Sequence, residues 1–528
     1  MNHNLYACLR QGFPVDLQQT AIETDHGLSY SWSDLERGSA MLANWIQSLQ
    51  LPASSRIAVQ TEKSVEVLML YLACLRSGHV FLPLNPAYQQ TEISYFVANA
   101  EPALVVCTPA NFGWVSKIAF QAGSRYVVTL DDQRGGSLLE RAAHHSDVHT
   151  PVDSKPDDLA AIIYTSGTTG RSKGAMLSHA NLLSNAQVLK DYWGWQSGDV
   201  LIHALPVFHV HGLFVAIHGA LLNGSKMLWH NRFDAQRVLA DMPRATVLMG
   251  VPTFYTRLLA LPGLNAEVCS RMRLFISGSA PMLVDTFESW QQRTGHTVLE
   301  RYGMSETVML TSNPWTSDDR FGGTSTRVGG SVGFPLPGVV LRIVGDKGEV
   351  LGTGEVGSIQ VKGPNVFAGY WRMPEKNAQE FTSDGFFITG DMGMVDAQGY
   401  VRIVGRSKDL IISGGLNVYP AEIEDALNNL PGVAESAVVG VPHADFGETG
   451  FAFVLAKPGV ELQTDQLLAA LKAQLANFKV PKQCRVVNEL PRNAMGKVQK
   501  NLLREMAGKL GSDTNENWGQ IPINFPIS

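Results

Sequence analysis

Residues 162–182 read IIYTSGTTGRSKGAMLSHANL. Ile162, Ile163 and Tyr164 have the apolar character of a buried strand, and the chain then turns abruptly polar. Ser166, Thr168 and Thr169 offer hydroxyls, and Gly167, Gly170 and Gly174 allow the backbone to come close to a ligand. Backbone N–H groups in such a loop can surround phosphate oxygens, with Lys173 as a mobile positive charge. The following LSHANL reads as a helix start whose dipole would add to the same site. The spacing is neither the G-x-x-x-x-G-K-[ST] loop nor the dinucleotide fingerprint. A surplus-glycine turn or a linker is the bland alternative, and the loop's place immediately after a strand favours phosphate.

On either side the chain repeats one unit. RIAVQTE from Arg56 reads as a strand, Ser64 caps a helix reaching Leu75, and HVFLPLNP returns as a strand. ALVVCTP, YVVTLDD, DVLIHALP, ATVLMGVP and MRLFISGSAP continue the series. Short apolar strands separated by helices predict an α/β fold with helix-covered, mostly parallel sheets. The last three strands open into polar loops, where such folds commonly bind ligands. After GEVGSIQVKG the pattern becomes glycine-rich turns and short strands, a β-rich subdomain. The expected division is a large domain over 1–404, a small α+β domain over 405–509 and a loose tail over 510–528.

The chain has 528 residues, 45% of them apolar and 17% charged, with a formal charge of -6. These totals fit a soluble multidomain protein and give no electrostatic case for nucleic acid. The five cysteines form no CxxC pair, against a zinc or disulfide framework. No signal peptide or membrane-length apolar run stands out, so a cytoplasmic location without a membrane partner is expected. An organelle matrix and any oligomeric state remain open.

Four more motifs follow in order: RYGMSE at 301–306, TGD at 389–391, GRSKDLI at 405–411 and PRNAMGKVQK at 491–500. Together with YTSGTTGRSKG they resemble the adenylate-forming superfamily, which includes acyl-CoA synthetases, adenylation domains and luciferases. The resemblance implies a small domain mobile against a large one, ATP and coenzyme A as co-substrates, and Mg²⁺. It also implies Lys497 bridging the reacting carboxylate and α-phosphate, and Glu306, with Thr165, on the metal. The nucleotide would be held by Thr165, Ser166, Gly167, Thr168, Thr169, Gly170 and Lys173, by Ser277, Gly278, Ser279, Ala280 and Pro281, and by Glu300, Arg301, Tyr302, Gly303, Met304 and Ser305. Tyr302 would lie near adenine, Asp391 would grip the ribose hydroxyls, and Arg406 would contact the nucleotide. Lys408 falls at the hinge, and Ser413, Gly414 and Gly415 fall where a pantetheine arm would pass.

The residue types suit the chemistry. A carboxylate becomes a good acyl donor once adenylated, which requires orientation, shielding of phosphate charge and a divalent cation. HALPVFHVHGL carries His203, His209 and His211, and His209 resembles a gate beside the carboxylate pocket. A diacid would need a cation for its second carboxylate, and Arg232 and Arg301 are the two candidates, with Ser279 beside them. With SGSAP, ERYGMSET and TSNPW, these residues resemble the malonate-activating branch of the superfamily, methylmalonate being a plausible side substrate. Ser305 replaces the usual threonine but keeps the hydroxyl, and DDRFGGTSTRVGGSVG is longer than usual. A monocarboxylate or aryl-acid ligase is the runner-up. A retired nucleotide-binding scaffold is the reading from another class, and it would predict loss of Lys497, Glu306 or Asp391.

Overall fold

The computed structural model describes residues 2–165, 172–316, 326–413, 416–443, 446–493 and 496–511. The α/β architecture expected from the repeating strands is present. One sheet has six strands, with Arg56–Gln60 lying between and parallel to Val80–Pro83 and Leu104–Cys107. A second has nine, whose inner strands Thr20–Thr24, Lys226–Trp229, Val200–His203, Val247–Gly250, Leu274–Ser277 and Leu299–Tyr302 are all parallel. Helix Val65–Arg76 runs between the two sheets, and every one of its residues is buried. Apart from Glu66 and Arg76 at its two ends it is apolar all round rather than amphipathic, as burial on all sides requires. Tyr71 meets Phe81 of the first sheet and Phe214 beside the second, with ring centroids 5.1 and 5.9 Å away. Ser64 starts this helix by accepting a hydrogen bond from the Val67 N–H.

The β-rich subdomain is a four-stranded antiparallel sheet of Val340–Val344, Gly357–Lys362, Phe387–Val395 and Val401–Arg406. Its last strand carries Gly405 and Arg406, so the sheet extends two residues past the sequence-based start of the small domain. The small domain packs helices Pro420–Asn428, Thr464–Gln474 and Lys500–Gly511 on a sheet built around Val433–His443 and Gly447–Ala456. The tail beyond Gly511 lies outside the described residues. Among the described residues no helix is long and apolar enough to cross a membrane.

The glycine-rich loop departs from expectation in one respect. Lys173–Ser178 is a strand, antiparallel to Leu159–Thr165 and in register with it from Thr165↔Lys173. Helix His179–Tyr192 starts only afterwards, with Ser178 accepting from the Asn181 N–H. Six extended residues of about 3.3 Å each put the helix start roughly 20 Å from the loop. Its dipole therefore does not serve the loop. Gly174, Ala175, Leu177 and Ser178 are buried, so this segment needs its backbone groups satisfied, and the ladder with Leu159–Thr165 does that.

Candidate active site

Several of the candidate residues lie at or just beyond the C-terminal ends of the parallel strands: Ser277 and Tyr302 end theirs, and His209 follows Val200–His203. Ser277 is in register with Glu300, which brings the loop from Gly278 against Arg301. A Cβ at Gly278 would lie 2.5 Å from Arg301 Cζ, so only glycine leaves room for the guanidinium. Arg301 is 3% exposed. Its Nε and Nη2 have no hydrogen-bond partner, and it forms no ion pair among the described residues. Burial lowers its pKa to about 9, which still leaves a cation at neutral pH.

His209 and His211 follow strand Val200–His203. Desolvation, then Arg301 and Lys497, pull the His209 imidazole down to about 4. The His211 N–H donates to His209 Nδ1 at 3.3 Å, which places the proton of neutral His209 on Nε2. His211 Nδ1 lies 3.3 Å from Ser279 Oγ, and Ser279 holds a left-handed φ of 71°. That strained backbone turns the loop after Ser277 toward the histidines.

Lys497 enters from the small domain. Its N–H donates to Asn493 Oδ1 at 3.0 Å, and the Asn493 N–H donates back to its carbonyl at 2.9 Å. A Cβ at Gly496 would come within 2.9 Å of Thr253 Oγ1, so this turn rests directly on the large domain. Desolvation, with Arg406 nearby, lowers Lys497 to about 8. Arg301, His209, His211, Ser279 and Lys497 thus form an electropositive corner.

Beside it stands Asp391, whose Oδ2 accepts from the Tyr302 hydroxyl at 2.5 Å and whose Oδ1 lies 3.2 Å from Arg406 Nε. Asp391 and Arg406 face each other across their sheet, and the Tyr302 hydroxyl joins that sheet to strand Leu299–Tyr302. Burial raises Glu300 to about 8, and its Oε1 accepts from the Gly330 N–H. Gly303 is pressed against the Val308 carbonyl, where a Cβ would sit at 1.9 Å, and the Met304 N–H donates to Thr307 Oγ1. Ala280, Pro281 and Ser305 occupy the turns flanking these groups.

On the third side, Lys173 Nζ lies 3.0 Å from Glu380 Oε1 and 4.1 Å from the centre of the Tyr370 ring. The Tyr370 hydroxyl donates to Glu306 Oε1 at 2.8 Å. Burial raises the Glu306 pKa, and Tyr370 and Lys173 oppose that rise. Thr165 stands opposite Lys173 at the base of the hairpin.

Other residues singled out in the sequence are elsewhere. Arg232 is exposed beyond strand Lys226–Trp229. Ser413 pairs with Leu416 and Gly447 in the small-domain sheet, and Lys408 sits in the short turn Ser407–Asp409 between two sheets. Ser166, Gly167, Thr168, Thr169, Gly170, Gly414 and Gly415 lie outside the described residues. Sequence reasoning passed over Tyr370 and Lys63. The one available signal for Tyr370 was an aromatic pair in NVFAGYW; Lys63 had none.

Residues 15–371 match the AMP-binding enzyme family, and residues 422–497 match the AMP-binding enzyme C-terminal domain. The chain belongs to the AMP-binding enzyme family. A feruloyl-CoA synthase of Amycolatopsis is 34% identical over 494 residues, covering 91% of this chain and 95% of the relative. A malonate--CoA ligase of Arabidopsis thaliana is 33% identical over 483 residues, covering 85% and 78%. ATP-bound MatB from Rhodopseudomonas palustris is 52% identical with a TM-score of 0.93, covering 97% of this chain and 100% of that one. The apo form of the same MatB gives a TM-score of 0.82. The overall likeness of this AMP-binding enzyme is thus greater to the ATP-bound form than to the apo form.

Proposed function

We propose that this enzyme joins malonate, and less readily methylmalonate, to coenzyme A in two AMP-forming steps. The observation that carries the reading is Arg301: a buried guanidinium with two unpartnered donor atoms, over Gly278 and beside Ser279. A buried cation lacking a counter-ion is costly, and a dicarboxylate bound through its far end would supply one. Arg232, being exposed, is poorly suited to that contact. The malonate--CoA ligase and MatB relatives support the same acid.

In the first step a malonate oxygen attacks the α-phosphorus of ATP, a Pα–O bond breaks, and pyrophosphate leaves. Lys497 donates to the incoming carboxylate and the α-phosphate, neutralising charge where it accumulates. Asp391 accepts from the ribose hydroxyls, with Arg406 alongside, and Tyr302 holds Asp391 in place. The loop Ser277–Pro281 and residues Glu300–Ser305 flank the base, while Thr165–Gly170 and Lys173 hold the outer phosphates. His209, neutral throughout the physiological range, borders the entry to the acid pocket.

Glu306 suits a divalent cation. It is a buried carboxyl that accepts a hydrogen bond from the Tyr370 hydroxyl and offers anionic oxygen, the ligand type that Mg²⁺ prefers. Mg²⁺, taking oxygens from Glu306, Thr165 and the phosphates, would supply charge neutralisation on the leaving pyrophosphate.

In the second step the small domain turns about Lys408 and brings Ser413–Gly415 toward the pocket. The coenzyme A sulfur attacks the acyl carbon of malonyl-AMP, the C–O bond to phosphate breaks, and AMP departs with the thiol proton passing to solvent. We place this reaction in the cytoplasm. The test is a panel of malonate, methylmalonate, succinate, acetate, butyrate and benzoate with Mg-ATP and coenzyme A. Acyl-CoA and AMP are followed together. Preference for malonate is expected; preference for a monocarboxylate would overturn the assignment of the acid.

A further inference from the structure

Lys63 is a cation buried where the reaction has no use for one. It follows strand Arg56–Gln60 and is 7% exposed. No carboxylate lies within ion-pair distance of it among the described residues; Asp25 acts on it only through its field. Its Nζ lies 2.8 Å from His203 Nδ1, 2.8 Å from the His203 carbonyl and 2.7 Å from the His230 carbonyl. It also sits 4.5 Å from the centre of the Trp229 ring, on which the His203 imidazole is stacked.

The hydrogen-bond inventory fixes the charge of this pair. His203 Nε2 lies 3.0 Å from the Gly212 carbonyl, which can only accept, so Nε2 carries a proton. The two carbonyls on Lys63 also only accept, so one further proton must lie between Nζ and Nδ1. The Lys63–His203 pair therefore holds a single positive charge, whichever nitrogen bears the shared proton.

The far end of this relay is the acid pocket. Gly212 lies next to His211, at the start of helix His211–Ile217, which is wound with π-type spacing. A Cβ at Gly212 would stand 2.0 Å from the Pro206 carbonyl, so the turn holding His209 is folded tightly on itself. We propose that Lys63, acting through His203 and the Gly212 carbonyl, is a positioning residue that sets where His209 and His211 stand opposite Arg301. The relay also adds one fixed positive charge behind the pocket. The proposal rests on the reading of this pocket as the acid site, and not on which acid is bound.

The test is a double-mutant cycle of Lys63→Met, His203→Phe and the pair in the full-length enzyme. It reads KM for the acid that wild type adenylates best, and KM for ATP. The expected result is a tenfold or greater rise in acid KM for each single variant, with ATP KM within twofold. The double variant should resemble either single one, because both break the same relay. Its apolar replacements remove cation and acceptor together, so it is expected to fold even where Lys63→Met is unstable. His203→Gln, which can both accept from Lys63 and donate to Gly212, should recover most of the lost affinity. A folded double variant with unchanged acid KM would overturn the proposal. So would equal rises in acid and ATP KM. A wild type that prefers another acid would instead overturn the malonate assignment and leave this experiment intact.

Discussion

The Tyr302 hydroxyl donates to one oxygen of Asp391 at 2.5 Å while Arg406 Nε stands 3.2 Å from the other. Both oxygens are thus oriented before any nucleotide arrives, and the carboxylate has little rotamer freedom left to lose on binding. Asp391→Ala should raise ATP KM about tenfold or more, the equivalent of about 1.4 kcal/mol. Tyr302→Phe should have a smaller effect, since Arg406 still orients the acid. Neither should alter acid KM comparably. Steady-state kinetics with each substrate varied separately will check this.

Arg301→Gln should cut kcat/KM for malonate on the order of 100-fold or more, in line with about 3 kcal/mol for loss of a buried charged contact. Acetate and butyrate should suffer less, so the preference narrows or reverses. Arg232→Gln should leave malonate kinetics within about twofold, the usual reach of an exposed charge. Running the acid panel on both variants separates the two arginines.

In the proposed first step Lys497 acts as an ammonium, and burial has lowered it to about 8. Adenylation, followed by pyrophosphate exchange, should therefore decline as pH rises through about 8. Stability runs the opposite way: the folded pKa is below the ordinary lysine value, so the cost of burying the charge is relieved as pH rises above 8. Lys497→Ala should lose exchange by about 100-fold or more while still converting supplied malonyl-AMP to the thioester.

Glu306→Gln should raise the Mg²⁺ concentration required for half-maximal exchange about tenfold, because an amide is a weaker ligand than a carboxylate. Titration of Mg²⁺ at fixed ATP reads this directly. Unchanged Mg²⁺ dependence would remove Glu306 from the metal site.

Lys408→Pro should separate the two half-reactions. Fixing φ in the turn Ser407–Asp409 leaves the present domain arrangement in place but hinders rotation away from it. Pyrophosphate exchange should persist, and thioester formation from supplied malonyl-AMP should fall at least tenfold.

Local patterns made much of this readable in advance. Apolar runs such as RIAVQ and LFIS become parallel strands because both sheet faces are covered, and Ser64 caps its helix as a serine there should. The hairpin at Lys173–Ser178 was harder, because a short segment opening on Lys-Gly looks like loop until its partner strand is known. Arg232 and Arg301 could not be separated by sequence: the difference is three-dimensional, one exposed and one laid over Gly278. Lys63 was silent, and Tyr370 nearly so, for the same reason. Their partners, His203 and Glu306, lie 140 and 64 residues away.

Gly496 touching Thr253 gives the protein engineer a wedge. With φ at 72° and 2.9 Å of clearance, even a methyl group there strains the backbone and crowds Thr253, which loosens the seating of the Lys497 turn on the large domain. Gly496→Ala would handicap synthesis of the acyl-adenylate while sparing its consumption. The altered protein would become a thioesterifying catalyst to be fed with adenylates made chemically, including those of acids that its own first step rejects.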